Sequence, residues 1–545
     1  MPLLRCTLPR GPRSGAAPQS RLLLALLTAL LLLAPGLAAI TAAAPPAAAA
    51  GSATTALKFV DLPAYDGVTL KANLIAPTAA GSHPAIIFIS SWGLNDAEYL
   101  AQASTLAAAG YVVLSYTSRG FWGSGGTIET AGPADIKDVS AAIDWVIANT
   151  SADPARIGVG GVSYGAGISL IASGQDSRIK AVVAISAWTD LIDSLYANQT
   201  RHPQAVYLLK FTAELLGHPS DEFEDILDDY FANTNVDGIK QWGDIRSAAS
   251  YVAGIKANKP AILIANAYGD SLFEPNQLVS FFGQLNGPKR LEFAPGDHAI
   301  PELTGLLGLP NHVWTSTRRW FDQFLAGVDT GVDDEPVVLR VRNTDDTIES
   351  YANWADVTGS TTRYHLGSPV LNSGALGTTA STGWSATVYT GLDTFADAGV
   401  VLLSNGLEAL TGTPPTVWLP AVNRINGAVW TSSSLTSGAA IRGIANLHLT
   451  VKPAKSTGTI VAYLYDTDAF GTGELITHTP YTWTNATAGR ALTIDTPLPA
   501  TAWNLPAGHK LSLVIDTEDP LYLDTNGVGS AITVTGGSWV DVPLR

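Results

Sequence analysis

The chain has 545 residues, of which 46% are hydrophobic and only 14% charged, enough apolar material for two or three cores and too much for a disordered chain. Its formal net charge is −16. The four arginines before residue 50 are offset by no acid, so without that leader the charge is about −20. A surface this acidic repels phosphate backbones and argues against nucleic acid as a partner, although a purely solubilising charge accounts for it equally well.

Residues 1–50 read as an export signal followed by an Ala/Pro linker. An arginine-bearing segment leads into the apolar run 21–34, then Pro35, Gly36 and small residues. The run is short for a hydrocarbon layer of about 30 Å. The expectation is a secreted protein with no stable membrane association once the signal is removed; an N-terminal anchor is the alternative. The single cysteine, Cys6, leaves with the leader, so the mature chain carries no disulfide.

Residues 57–77 alternate like a hairpin around Tyr65, Asp66 and Gly67. The continuous apolar runs 84–89, 111–116, 181–186, 260–265 and 290–294 have the texture of strands buried on both faces. Between them, 98–109, 135–148 and 313–325 carry helical periodicity. This alternation predicts right-handed βαβ units and a parallel sheet, an α/β fold. From Trp188 to Lys259 the pattern changes to helices at 206–216 and 221–231 with no intervening strand, an insertion read as a helical cap. Residues 190–250 hold eleven acidic against four basic residues. After Glu335 and Pro336 short alternating runs, such as 445–451, 459–465 and 510–515, are punctuated by Gly, Pro, Asn and Asp, as in a β-sandwich. The expected layout is therefore a catalytic domain at 51–345 with its cap at about 190–258, then a β-sandwich at 346–545.

Within 156–174 a short strand, a sharp turn and a helix start enclose Gly161, Ser163 and Gly165, a G-x-S-x-G elbow. The motif alone is weak in a chain so rich in glycine and serine. A serine nucleophile also needs a base, and the base an orienting acid. In an α/β-hydrolase sheet these follow in the order Ser, acid, His on loops beyond strand ends. Asp270 follows the strand at 260–265, with Glu274 in reserve, and His298 follows the strand at 290–294. His202 and His218 fall in the insertion and His312 opens the last helix, which leaves His298 as the base. Asp297, adjacent to it, reads as a surface charge.

These residues resemble the X-prolyl dipeptidyl-peptidase and cocaine-esterase-like serine hydrolases. The resemblance runs over about residues 55–545. It rests on the elbow as G-V-S-Y-G-A-G at 161–167, and on S-R-G-F-W-G-S-G at 118–125 before a helix containing Asp138 and Trp145. It rests also on R-W-F-D-Q-F-L-A-G-V-D-T-G at 319–331 with Glu335 and Pro336, and on jelly-roll-like runs at 443–468 and 508–517. It implies an α/β-hydrolase domain followed by a jelly roll, with a triad of Ser163, Asp270 and His298. One oxyanion donor would be the Tyr164 backbone N–H. For the second the family uses a tyrosine hydroxyl after the third strand, where this chain has Trp92, whose indole or backbone N–H could donate; alternatively Trp92 only lines the acyl pocket, together with Trp188. A second departure is Thr117, near where the family usually has Asp.

Three functions are weighed. The first is a secreted serine hydrolase cleaving small-molecule ester or amide bonds through an acyl-enzyme. The second is an Xaa-Pro dipeptidyl-peptidase, whose peptide substrate's α-ammonium would need an acid such as Asp190, Asp193, Glu214 or the cluster 221–229. The third is a non-catalytic surface- or polysaccharide-binding protein working through the jelly roll. No cofactor is implied, and no His/Cys cluster has metal-ligand spacing. Asp466, Asp468 and Gly471 hint at a calcium loop, but Thr477 stands where a bidentate glutamate is needed, so a β-turn is the reading.

Overall fold

The structure, a computed structural model, describes residues 54–545; the expected leader lies outside the described residues. The first hairpin forms as β1 (Thr55–Pro63) and β2 (Thr69–Pro77), paired antiparallel. Eight further strands complete the sheet: β3 (His83–Ile89), β4 (Val112–Tyr116), β5 (Ala152–Val162), β6 (Ile179–Ile185), β7 (Ala261–Ala267), β8 (Lys289–Ala294), β9 (Val337–Arg340) and β10 (Ile348–Tyr351). The order across the sheet is β1-β2-β4-β3-β5-β6-β7-β8-β9-β10, and every pairing from β4 to β9 is parallel. Strands β3, β4, β6 and β7 are buried along nearly their whole length, which is why they read as unbroken apolar runs. Helices Leu100–Ala108 and His312–Phe324 close one core against them, with Phe88 stacked on Tyr99 and edge-on to Trp314 and Phe321.

The insertion between β6 and β7 is helical, with helices at Leu191–Leu195, Pro203–Leu216, Asp221–Ala232, Val236–Asp244 and Val252–Asn258. In Asp221–Ala232, Phe223, Leu227 and Tyr230 are buried at helical spacing while Asp221, Glu222, Glu224, Asp225 and Asp228 are exposed.

From Ser360 onward the strands join in a continuous 14-stranded sheet wrapped around one core containing Trp430, Leu449, Leu464, Trp503 and Leu513. Strand Asn446–Pro453 turns Leu447, Leu449 and Val451 inward in strict alternation. Strand Thr472–Trp483 of this sandwich also receives the cap: Asn198 Nδ2 donates to Pro480 O at 3.0 Å, and Thr200 Oγ1 lies 2.8 Å from Thr482 Oγ1. Asp466 lies at the end of strand Gly458–Thr467, and 468–471 is a turn, in which Asp468 Oδ1 accepts from Phe470 N and Thr472 N and Gly471 has φ +86°.

One element departs from an all-β reading. Ser404–Thr411 is a helix whose buried residues are Asn405, Gly406 and Glu408, while Leu407 and Leu410 face solvent. Its inner face is polar, so it leaves no apolar period in the sequence.

Candidate active site

At the end of β5 the chain reverses at Ser163, with φ 54° and ψ −111°, and helix Tyr164–Gln175 begins. A non-glycine residue in such a conformation costs of order 1–3 kcal/mol and persists only where its surroundings enforce it. Here the crossing over the end of β3 does so. A Cβ on Gly165 would lie 2.0 Å from Ile89 O, and one on Gly161 2.7 Å from the same oxygen. Ser163 N is tied to Ile185 O at 2.8 Å. The two glycines of the motif are thus demanded by a carbonyl at the end of the neighbouring strand β3.

The structure brings Ser163, His298 and Asp270 together. Ser163 Oγ lies 2.8 Å from His298 Nε2, and His298 Nδ1 lies 3.0 Å from Asp270 Oδ2. All three are buried. Asp270 Oδ1 accepts from Leu272 N and Phe273 N at 3.0 and 2.8 Å, which fixes the carboxylate, and the Phe273 ring meets His298 edge-on. Burial by itself would depress the His298 pKa, but Asp270, with Glu302 and Asp297 behind it, holds it above its ordinary value.

Asp297 and Glu274 fall elsewhere than expected. Asp297 is fully buried rather than a surface charge: its Oδ1 accepts from Ser271 N, Ser271 Oγ and His298 N, joining the acid loop to the histidine loop. Burial, with Asp270 nearby, pushes its pKa up to about 7. Glu274 accepts from Asn276 N at 3.1 Å and caps helix Pro275–Gln284, and burial pushes it up to about 8. It makes no hydrogen bond to His298 among the described residues. His202 lies buried against Tyr522, His218 is exposed, and His312 starts its helix, all apart from Ser163.

Tyr164 N, at the first turn of its helix, has no acceptor among the described residues, and the Tyr164 hydroxyl is anchored by donating to Asp135 Oδ2 at 2.8 Å and accepting from Ala131 N. For Trp92 the indole must be set aside as an oxyanion donor. Its N–H is shared between Leu209 O and Thr212 Oγ1 of the cap, each at 3.1 Å. The Trp92 backbone N–H has no acceptor among the described residues. Thr117 holds Asp96 through its hydroxyl, and Arg119 forms a buried two-pronged pair with Asp138, both bonds 2.7 Å.

Above Ser163 opens a cavity between sheet and cap. Trp92, Trp188 and Phe273 line it from the hydrolase side, and Leu191, Leu209 and Leu227 are among the cap residues that close it. Trp188 lies flat enough against the elbow helix that a Cβ on Gly167 would meet its ring at 2.4 Å, and its indole donates to Arg246 O. Among the described residues no Asp, Glu, Lys or Arg lines this cavity. The only unpartnered buried polar side-chain atoms at its wall, among the described residues, are Thr130 Oγ1 and Trp242 Nε1.

The comparisons with known proteins agree with this geometry. Residues 66–300 match the family model described as X-Pro dipeptidyl-peptidase (S15 family), and residues 330–539 match its C-terminal non-catalytic domain. A putative Xaa-Pro dipeptidyl-peptidase of Bacillus cereus is 22% identical over 462 residues, covering 78% of this chain and 74% of the relative. Among solved structures, an α-amino acid ester hydrolase superposes with TM-score 0.67 at 16% identity, covering 92% of this chain and 98% of its own. A CocE/NonD family hydrolase from Staphylococcus aureus gives TM-score 0.67 at 12% identity, covering 90% and 93%. With two family models matching in order over most of the chain, the protein belongs to the X-Pro dipeptidyl-peptidase (S15) family of serine hydrolases.

Proposed function

We propose that this hydrolase cleaves esters of apolar acyl groups through an acyl-enzyme on Ser163. His298 Nε2 accepts the Ser163 proton as Oγ attacks the acyl carbonyl, and the resulting imidazolium returns it to the leaving alcohol. Asp270 holds the imidazole tautomer and stabilises its charge. The tetrahedral oxyanion is met by the backbone N–H groups of Tyr164 and Trp92. Water, deprotonated by the same histidine, then attacks the acyl carbon and frees Ser163.

The observation that carries the ester reading is the cavity wall. An N-terminal dipeptide would place an α-ammonium near Ser163, and a buried ammonium needs a carboxylate. The acids considered for that task do not line the cavity: Asp190 caps its helix, and Asp193, Glu214 and the exposed acids of 221–229 face solvent. An apolar acyl chain, with at most one or two acceptors for Thr130 and Trp242, matches what is there. Each buried methylene contributes about 0.8 kcal/mol, so kcat/KM for p-nitrophenyl esters should rise about fourfold per methylene from acetyl to hexanoyl. Turnover of Ala-Pro-p-nitroanilide above that of p-nitrophenyl hexanoate would overturn the ester reading in favour of dipeptide release.

The apolar run at 21–34 supports export with the leader removed; N-terminal sequencing of protein from the medium tests it, with a start after residue 36 expected. Among the described residues no helix is long and apolar enough to cross a membrane.

A further inference from the structure

Beneath the loop that carries Trp92 lies a buried acid to which the hydrolytic scheme assigns no part. Glu98 Oε2 accepts from Ser91 N at 2.8 Å. Ser91 Oγ sits 2.6 Å from Glu98 Oε1 and 2.9 Å from the carbonyl oxygen of Val162, the residue just before the nucleophile. A serine hydroxyl has one proton to donate. If it goes to a Glu98 carboxylate, Val162 O faces an oxygen lone pair. If it goes to Val162 O, the short contact to Glu98 needs a proton of its own. Both contacts are satisfied together only when Glu98 is the neutral acid, donating to Ser91 Oγ, which donates onward to Val162 O.

The surroundings favour that state. The ionisable groups facing Glu98 are Tyr99, beside it, and the buried acid Glu302; no Lys or Arg offsets its charge among the groups that shift it. Burial first, with Glu302 adding to it against the opposing Ser91 bonds, pushes its pKa up to about 7. Tyr99 spans the same gap without a proton to lose near neutrality, accepting from Val162 N at 2.9 Å and donating to Ile89 O at 3.0 Å.

We propose that Glu98, as a neutral carboxylic acid, is a positioning residue that latches the Ser91–Trp92 loop to the nucleophile elbow and so sets the second oxyanion donor. The inference rests on the proposed role of the Trp92 backbone N–H. A carboxyl whose folded pKa is raised keeps its proton below that value and loses it above, so the latch is closed below about pH 7 and loosens as pH rises.

The test compares wild type, Glu98→Gln and Glu98→Ala on p-nitrophenyl butyrate from pH 6 to 9. The glutamine amide donates to Ser91 Oγ and accepts from Ser91 N at every pH, as the neutral acid does. At pH 6, Glu98→Ala should lose about 10²-fold in kcat with KM moving less than about threefold, the signature of a misplaced oxyanion donor, while Glu98→Gln stays within about threefold of wild type. The Glu98→Gln to wild-type kcat ratio should then climb about tenfold between pH 6 and 9. A ratio that is flat with pH, or a glutamine variant as impaired as alanine, overturns the proposal. Amide hydrogen exchange over residues 90–93 reads the latch without turnover: wild type should lose protection relative to Glu98→Gln as pH passes 7, and equal protection contradicts it. If Ser163→Ala retains ester turnover, the reading of the reaction has failed, and the exchange result still decides the latch.

Discussion

Ile89 O sets the geometry of the nucleophile. Its carbonyl sits where side chains on Gly161 and Gly165 would be, and it receives the Tyr99 hydroxyl, so the end of β3 braces the turn that strains Ser163. Gly165→Ala forces a Cβ to 2.0 Å from that oxygen and should destabilise the protein by about 3 kcal/mol or more, read as a lowered urea midpoint at unchanged slope. His298 makes a second prediction. Because Asp270 and the acids behind it outweigh burial and raise its pKa, the neutral base is lost as pH falls through a value above 6.5, and kcat/KM should show its acidic limb there. A limb below 6.5 would contradict this balance. At this scale Ser163, Asp270 and His298 were legible because hydrolase topology orders them along the chain and each follows a strand. Asp297, Glu98 and the Trp92 indole were not, since their partners Ser271, Ser91 and Leu209 are chosen by tertiary contact that no spacing encodes.

Elements read most easily where burial imposed a period. The apolar runs of β3 to β8 and the one-sided helix Asp221–Ala232 announced themselves, whereas Ser404–Thr411 did not. Yet this helix braces the site: Asn405 Nδ2 donates to Gly269 O, next to Asp270, and Leu402 N just before it donates to Ser271 Oγ, which in turn bonds Asp297. Asn405→Ala should lower kcat about three- to tenfold through the acid loop, with the fold intact by thermal melting. Glu408 on the same helix pairs with Arg342 through two 2.7 Å bonds, both side chains buried. Removing one partner strands a buried charge, and Glu408→Ala should cost about 3–5 kcal/mol of stability.

The whole molecule ties the cap, the sheet and the sandwich together. Besides the links from Asn198 and Thr200, Gln204 Nε2 donates to Pro520 O, Gln204 Oε1 accepts from Val401 N, and Leu523 N donates to Arg201 O. The cap limb at 198–204 is therefore held by the sandwich, and Arg201 in turn holds helix Asp221–Ala232 through Tyr230 O and Phe231 O. The composition pointed to two textures of chain, helical–parallel then alternating–antiparallel, and both are present. It did not foretell this interlock, which is made by a few polar side chains and one backbone bridge between segments about 200 to 320 residues apart in sequence.

The most direct test of the account is mass analysis of the protein quenched during steady-state turnover of p-nitrophenyl hexanoate, followed by mapping of the modified peptide. One hexanoyl group is expected on Ser163, absent from Ser163→Ala, which should also lose at least about 10⁴-fold in kcat. Acylation at another residue, or ester turnover undiminished in Ser163→Ala, would contradict it.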